Sequence, residues 1–394
     1  MKNKTERLYF IDAIRAWAIL MMLQGHFVDG LLDTAFRDPS SPIFAVWKYF
    51  RGMTAPVFFT VSGFIFTYLL VRGELQGLRN PRVNKGIKRG LELLFIGYLL
   101  RTNLLGLLQG ELYPSFYLVD VLHCIGLSLL GIIGIYLLSQ KFRKSFFALM
   151  LVSCTLLLFI FEPLYKAWDY SFLPDALANY LTRANGSVFT IFPWFGYATF
   201  GGSASLLFTK YRSFKYLYPS AIAVAITIGF GLISSSSNWF MGLSRLTGIQ
   251  LFADVYANNY LFIRLGDVLL VFAAFMLLRS LLKNRTVLRI GQSTLSIYVV
   301  HFIILYGSFT GVGLYRFFHH ALSPIVAIGG ALTFILISTF TALSYEKHKM
   351  SIKSRLASAG EYIKDASEPI GAKASDLAKE RIYKVLRRLK RVKN

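Results

Sequence analysis

The stretch Leu8–Leu31, LYFIDAIRAWAILMMLQGHFVDGL, decides how the fold is interpreted. It has the length and apolarity of a transmembrane helix, yet it contains Asp12, Arg15 and His26. At about 100° per residue, Arg15 and His26 lie about 20° apart after three turns, and Asp12 shares their face. Ionisable groups at membrane depth usually face a bundle interior or a wet cavity. The stretch therefore predicts either a functional face or an Asp12–Arg15 pair beside a buried histidine.

The composition of the whole chain predicts an all-α, polytopic membrane bundle. Of 394 residues, 55% are hydrophobic and 16% charged, and apolar runs of membrane-spanning length recur along the chain. The two cysteines, Cys124 and Cys154, lie inside apolar runs and give neither a disulfide framework nor a metal-ligand spacing. The net charge of +23 lies in short loops and the tail, so membrane topology explains it and a nucleic-acid partner is not expected.

The predicted spans are separated by loops whose charge alternates. Loops rich in Lys and Arg follow every second span, whereas the other loops contain few cations and several turn residues. By the positive-inside rule, the basic loops and both termini are cytoplasmic, which agrees with an even number of spans. Ten spans are predicted, at 8–31, 54–71, 88–108, 116–138, 146–163, 188–208, 216–235, 260–281, 287–308 and 323–345.

The last part of the chain differs in composition from the rest. Residues 346–394 are polar and basic, and from Ser375 onward apolar residues recur at helical spacing among cations. This pattern predicts an amphipathic helix on an anionic membrane surface, with a partner-binding helix as the alternative. We therefore predict a membrane domain over 1–345 and a cytoplasmic tail over 346–394.

The span directions bring several ionisable residues to a similar depth near the outer side. They are His26 in span one, Asp120 and His123 in span four, and His301 in span nine. Neutral imidazole takes or gives a proton near pH 7, so such a cluster suits general acid–base catalysis. No two of these histidines are close in sequence, so we expect no metal site.

Cations gather at the opposite, cytoplasmic side. Lys88 and Arg89 lie at the start of span three, and Arg15 lies at a comparable depth inside span one. Most loop cations are membrane anchors, but Lys and Arg are also the usual phosphate partners, and Arg15 is the hardest to explain as an anchor. Ser62 and Gly63 in span two predict either tight helix packing or a ligand contact.

An ordered set of motifs carries a family resemblance. RLYFIDAIRAWAILMMLQGH at 7–26 resembles the opening of bacterial heparan-α-glucosaminide N-acetyltransferase-like membrane proteins and, more distantly, of the acyltransferase-3 family. The resemblance continues through APVFFTVSGF at 55–64, KRGLELLFIGYL at 88–99, VDVLHCIGLSLL at 119–130, FPWFGYATFGG at 192–202 and LRIGQSTLSIYVVHFIILYG at 288–307. His123 departs from a Gln common in these relatives, and the R-x-x-R pair of acyltransferase-3 proteins is absent.

The resemblance implies an enzyme of the bacterial cytoplasmic (inner) membrane. It implies transfer of an acyl group, usually acetyl, from cytoplasmic acyl-CoA to a hydroxyl or amine of an extracytoplasmic sugar. The expected catalytic residues are His26, Arg15, Asp12, His123, His301 and Asp120, and the expected donor-binding residues are Arg15, Lys88, Arg89 and Ser62. A proton-coupled transporter and an inactive membrane sensor are the alternatives, and homo-oligomer formation stays open.

Overall fold

The computed structural model describes residues 7–73, 75–142, 145–355 and 358, and they form an all-α fold. No β-strand occurs among them; the bridges Leu32–Leu322 and Asn103–Phe309 are isolated. The longer helices are α1 (Tyr9–Leu31), α2 (Pro42–Gly52), α3 (Thr54–Leu70), α4 (Pro81–Leu100), α5 (Val121–Ser139), α6 (Ser145–Ile160), α7 (Ile191–Lys210), α8 (Leu217–Thr247), α9 (Tyr260–Leu277), α10 (Arg285–Gln292), α11 (Thr294–Tyr306) and α12 (Pro324–Arg355). Short helices occupy Leu104–Leu108, Glu162–Ala167, Asp175–Ala178, Gln250–Ala257 and Leu314–Phe318.

Every predicted span coincides with a helix, although the bounds differ. Among the described residues, five helical segments are long and apolar enough to cross a membrane, and they contain α3, α5, α8, α9 and α12. The α10–α11 pair adds a sixth if it counts as one span, since it is bent by 69° at Ser293. The chain is thus a polytopic helical membrane protein.

Three departures from the predicted spans affect the site. The loop predicted at 32–53 contains the amphipathic helix α2, none of whose residues is buried. Helix α4 covers 81–100 rather than 88–108, because the Asn80 side chain accepts a hydrogen bond from the Arg82 amide and Pro81 occupies the first turn. Helix α8 continues past 235 to Thr247, where Gly248 ends it in the left-handed conformation.

Helix α1 lies inside the bundle and contacts α3, α9, α10 and α11. Near its N-terminal end, a buried apolar cluster joins Phe10, Phe64 and Phe272 from three helices. Helices α3 and α7 cross in backbone contact, since a Cβ at Gly63 would overlap the Ala198 carbonyl and one at Gly201 would overlap the Thr60 carbonyl. Gly63 therefore serves the helix packing that was one of its two predicted roles.

The chain divides into two compact units, Met1–Thr341 and Ala342–Asn394. The second unit is described only to Arg355 and at Ser358, where it is helical. The amphipathic helix predicted from Ser375 lies outside the described residues.

Candidate active site

The site is built around a contact between two histidines from different helices. His26 Nδ1 on α1 lies 3.2 Å from His301 Nε2 on α11, although the two residues are 275 positions apart in the chain. His301 is fully buried, whereas His26 is half-buried. The Tyr306 ring packs near His26, with centroids 6.2 Å apart. Of the predicted outer histidines, these two are brought together.

The hydrogen bonds of His301 fix the tautomers of the pair. His301 Nδ1 lies within hydrogen-bond distance of the Tyr298 carbonyl oxygen, which can only accept. Nδ1 of His301 therefore carries the hydrogen, and its Nε2 is the unprotonated nitrogen of a neutral ring. That Nε2 accepts from His26 Nδ1–H, so the lone pair of His26 is on Nε2 and is not used by His301.

Two cavities meet at His26. The small cavity, of about 380 Å³, is lined by Met21, Met22, Phe58 and Trp194. The large cavity, of about 650 Å³, extends past residues of α4 and α11. His26 lines both, which leaves its ring accessible from either side. The other residues common to both cavities are Arg51, Val121, Val188 and Phe189.

Arg51 is the cation at the junction of the two cavities. Its guanidinium forms an ion pair with Asp29, one turn after His26 on α1. The same carboxylate also pairs with Arg37, at 3.1 Å. Arg37 lines neither cavity, whereas Arg51 lines both. Asp29 therefore holds Arg51 beside His26.

Polar bonds hold α2, and with it Arg51, over the site. Trp47 Nε1 donates to Gln24 Oε1 on α1 at 2.8 Å, and the Tyr49 hydroxyl donates to Asp267 on α9 at 2.5 Å. Arg264 donates to both Asp267, at 2.8 Å, and the Tyr49 carbonyl oxygen, at 3.1 Å. The pair Arg264–Asp267 near the start of α9 thus anchors α2. Because no residue of α2 is fully buried, these bonds contribute much of what holds its position.

Asp120 and His123 form a second, sealed cluster. His123 Nδ1 lies 3.0 Å from Asp120 Oδ1 and 3.2 Å from the Asp120 amide nitrogen, as in a capping box at the start of α5. His123 is fully buried and its Nε2 has no hydrogen-bond partner. Its ring packs on Gly97, where a Cβ would approach it to 2.6 Å.

Asp120 is the residue of this cluster that faces a cavity. Asp120 lines the large cavity, whereas His123 does not. Arg101 Nε lies 3.4 Å from Asp120 Oδ2, and Arg101 also lines the large cavity. Behind the cluster, Tyr98 and Tyr180 share a hydrogen bond of 2.7 Å between their hydroxyls. Burial raises the pKa of Tyr180, so its phenol stays protonated.

The other end of α1 forms a separate polar group. Arg15 Nη2 donates to Thr294 Oγ1 at 3.0 Å, which places Arg15 at the first residue of α11. Asp12 lies 3.9 Å from Arg15 Nη1 and accepts from Arg7 at 2.8 Å. Because eleven residues of helix rise about 16 Å, Arg15 and His26 are too far apart to touch one group.

The remaining residues that were predicted to bind the acyl donor differ in their surroundings. Arg89 is a charged neighbour of Arg15 and forms an exposed ion pair with Glu92, at 2.9 Å. Lys88, next to it on α4, is exposed. Ser62 donates to the Phe58 carbonyl of its own helix, at 2.8 Å, and lines neither cavity at His26. Ser62 is therefore not placed to contact a reacting group there.

Sequence reasoning missed Asp29, Arg51 and Arg101 as site residues. Asp29 lies three residues after His26 and so shares its helical face, which was a readable signal. Arg51 lies in the 32–53 loop predicted to face outward, and Arg101 lies in the outer half of the predicted span 88–108, a side on which the positive-inside rule expects few cations. Cations that depart from the topology pattern are the signal that was available.

Comparison with known families shows which family the chain belongs to. The profile of the acyltransferase-3 family, described as an acyltransferase domain, matches residues 8–343. The chain belongs to the acyltransferase-3 family. The match runs from the start of α1 into α12 and so includes both histidine clusters and both cavities. No curated protein matches the chain.

Membership in the acyltransferase-3 family makes the protein a membrane acyltransferase in general terms. It confirms the more distant of the two predicted resemblances and leaves the heparan-α-glucosaminide N-acetyltransferase-like subtype as a prediction. Among the described residues, no group of three or more His, Cys, Asp or Glu side chains is arranged to hold a metal ion.

Proposed function

We propose that this acyltransferase-3 protein transfers an acyl group, acetyl in the first instance, from acyl-CoA to a hydroxyl or amine of an extracytoplasmic sugar, with His26 as the general base. The observation that carries the proposal is the tautomer chain from the Tyr298 carbonyl through His301 to His26. It leaves Nε2 of His26 unprotonated, and His26 lines both cavities. A base oriented by a second group in this way is the usual arrangement for activating a nucleophile.

The proposed step balances without any further reactant. The acceptor gives its proton to His26 Nε2 as its oxygen or nitrogen attacks the thioester carbonyl carbon. The resulting oxyanion collapses, the carbon–sulfur bond breaks, and the CoA thiolate takes the proton back from His26. An acyl-His26 intermediate is the alternative course, in which the imidazole itself attacks the thioester.

Arg51 is the group we assign to the oxyanion. It lines both cavities beside His26, and the Asp29 ion pair together with the bonds of α2 hold it there in advance of the reaction. A fixed cation aimed at developing negative charge lowers the barrier without reorganising during the step. Ser62, which was expected to bind the donor, is not assigned to the oxyanion, because its hydroxyl is bonded within its own helix.

The Arg15 end of α1 is the proposed site for the CoA phosphates. Arg15 lies at the N-terminus of α11, where the helix dipole favours anions, and Arg89 lies nearby. Lys88 adds a neighbouring exposed charge on α4. The arm of acyl-CoA must then bridge the rise of about 16 Å between Arg15 and His26.

The large cavity suits the acceptor. Its polar lining includes Asp29, Asp120 and Arg101, and its aromatic lining includes Tyr298 and Tyr306. Alternating hydroxyl-binding groups and ring faces match the polar edges and apolar faces of a sugar. Asp12 then acts through its ion pair with Arg15. Asp120, which contacts His123, forms part of the cavity wall, and none of these three residues takes the reacting proton.

The localisation we propose is the bacterial cytoplasmic membrane with both termini inside, so that the donor is cytoplasmic and the acceptor lies outside. The alternation of basic loops supports this orientation. Reporter fusions after Asn394 and within the 164–187 loop are expected to report opposite sides. Reporters on the same side would contradict the assignment of donor and acceptor ends.

Incubation of purified protein with radiolabelled acetyl-CoA tests the proposed activity. When a cell-envelope glycan fraction is present, we expect label to move to the glycan; without the glycan, we expect thioester hydrolysis. We expect both activities to be lost in His26→Gln. Substrate flux into proteoliposomes without thioester cleavage would replace the proposal with a transporter. Comparison of glycan acylation in cells with and without the gene identifies the acceptor.

A further inference from the structure

An apolar groove lies away from both cavities, between three helices. It is lined by Leu207 and Phe208 on α7, Val224 and Ile228 on α8, and Phe272 on α9, and its volume is about 460 Å³. The floor is buried, with Phe64 of α3 fully covered, whereas Leu207 and Val224 on the walls are 59% and 55% exposed. The groove therefore has a closed bottom and an open side.

The lining of the groove excludes water as a stable occupant. Its polar lining includes Ser203, which donates to the Phe200 carbonyl at 2.8 Å, and Ser220. The floor is a set of packed aromatic rings, with Phe64 centroids 5.6 Å from Phe208 and 5.9 Å from Phe272. Apolar cavities of this kind stay dry, so in a membrane the groove is filled by hydrocarbon.

The length of the groove matches one leaflet. Along α7 it extends from Phe200 to Tyr211, and along α8 from Leu217 to Ile228. Eleven residues of helix rise about 16 Å. Half of a typical hydrocarbon core of about 30 Å is about 15 Å. A single acyl chain of one leaflet therefore fits along the groove.

One end of the groove is strongly basic. The connection between α7 and α8 contributes Lys210, Arg212 and Lys215, and residues 209–220 contain no Asp or Glu. Lys210 Nζ lies 5.2 Å from the centroid of the Tyr211 ring, which lines the groove. Arg279, just after α9, lies 4.3 Å from the Tyr218 ring, which in turn packs on Phe208. The groove thus combines a hydrocarbon slot with a cationic rim at one end.

We propose that this groove binds one acyl chain of an anionic phospholipid, whose phosphate headgroup lies at Lys210 and Lys215. Basic residues beside a slot between transmembrane helices attract anionic headgroups, while a zwitterionic headgroup gains less from them. The site is separate from His26 and does not depend on the proposed reaction. It also lies on the side of the membrane that the loop charges predict to be cytoplasmic.

Lipid retention by the purified full-length protein tests this site. Delipidated protein is titrated with phosphatidylglycerol and with phosphatidylcholine of the same acyl chains, and bound lipid is counted by native mass spectrometry. We expect one tightly retained phosphatidylglycerol per protein and at least about tenfold weaker retention of phosphatidylcholine. Equal retention of the two lipids would overturn the anionic assignment.

Matched variants locate the bound lipid. Ala221→Phe places a ring in the groove and is expected to abolish retention, whereas Ala223→Phe, on the exposed side of the same helix and outside the groove, is the control. Should Ala221→Phe fail to fold, Ala204→Phe obstructs the groove from α7. If retention is unchanged with the groove filled, the lipid binds elsewhere and the proposal is wrong.

A double substitution of two lysines tests the headgroup end of the groove. Replacing both Lys210 and Lys215 by Gln is expected to weaken phosphatidylglycerol retention by about tenfold, because two cations leave the groove end. The control replaces Lys141 and Lys283 by Gln, which removes the same charge from other basic loops. An equal loss in both double variants would show a general surface effect and would overturn the local headgroup site.

Discussion

The two histidine clusters of this protein, His26–His301 and Asp120–His123, differ in the access of their histidines to the cavities. His26 and His301 contact each other where two cavities meet, and the outward nitrogen of His26 is free of protein partners in the described chain. His123 is equally polar and at a similar predicted depth, yet it is packed on Gly97 and lines neither cavity. Depth and residue type are therefore alike for His26 and His123, and the proposal that His26 is the base rests on its access to the two cavities.

The largest expected effect is that of His26→Gln. Glutamine keeps the size and can still donate to His301, but it cannot take a proton from the acceptor. Loss of a general base costs on the order of 10²–10⁴ in rate, so turnover should fall by that factor. The measurement is kcat with saturating donor, beside calorimetric donor binding and the melting temperature, both of which should stay near wild type. Near wild-type turnover in a folded variant would remove His26 as the base.

Arg51→Gln is expected to reduce kcat by about 10²–10³, because the oxyanion loses its fixed cation. Arg51→Lys should recover part of this loss, since it restores the charge without the planar guanidinium. The matched control is Arg37→Gln, which removes the other partner of Asp29 and lines neither cavity. If Arg37→Gln were as damaging as Arg51→Gln, the effect would come from a displaced Asp29 and not from the oxyanion.

His301→Leu is expected to lower kcat by about 10², the cost of misplacing a reacting group by about 1 Å. It removes the acceptor that holds the His26 ring and fixes its tautomer. His301→Gln should recover much of the activity, because its amide oxygen can accept from His26. The donor KM should be unchanged in both. A purely structural His301 would instead lower the melting temperature and activity together, with no rescue by Gln.

The smallest expected effect is that of His123→Gln, which should leave turnover within about threefold of wild type. Glutamine at the third residue of a helix completes a capping box with the N-cap residue, so the start of α5 keeps its hydrogen bonds. The same His→Gln change thus separates the two clusters. Comparable losses at His26 and His123 would show that the sealed cluster takes part in proton transfer, and the contrast drawn here would fail.

Much of the helical frame could be predicted from hydropathy, because membrane length and apolarity constrain every span. The errors fall where polar residues are helical. The span in α8 was predicted to end at 235, yet the hydroxyls of Ser234 and Ser236 donate to the Phe230 and Leu232 carbonyls of their own helix, which continues to Thr247. The start of α4 is strongly basic, and its capping residues rather than its hydropathy determine where it begins.

The candidate site was predictable in part. The stripe on α1 predicted that Arg15 and His26 face the interior, and both contact residues of α11, Thr294 and His301 respectively. Periodicity could not distinguish His123 from His301, because the burial of His123 against Gly97 depends on how α4 packs on α5. Periodicity could not identify Arg51 either, since this side chain lies on a surface helix that has no fully buried residue.

The crossing of α3 and α7 has a consequence for how genetic screens of this protein are read. A single methyl group at Gly63 or Gly201 would meet a backbone carbonyl of the other helix. Both positions will therefore score as intolerant as His26 in a loss-of-function scan, although neither carries chemistry. Protein abundance separates the two kinds of position, because alleles at the crossing deplete the folded protein while alleles at His26 leave it intact.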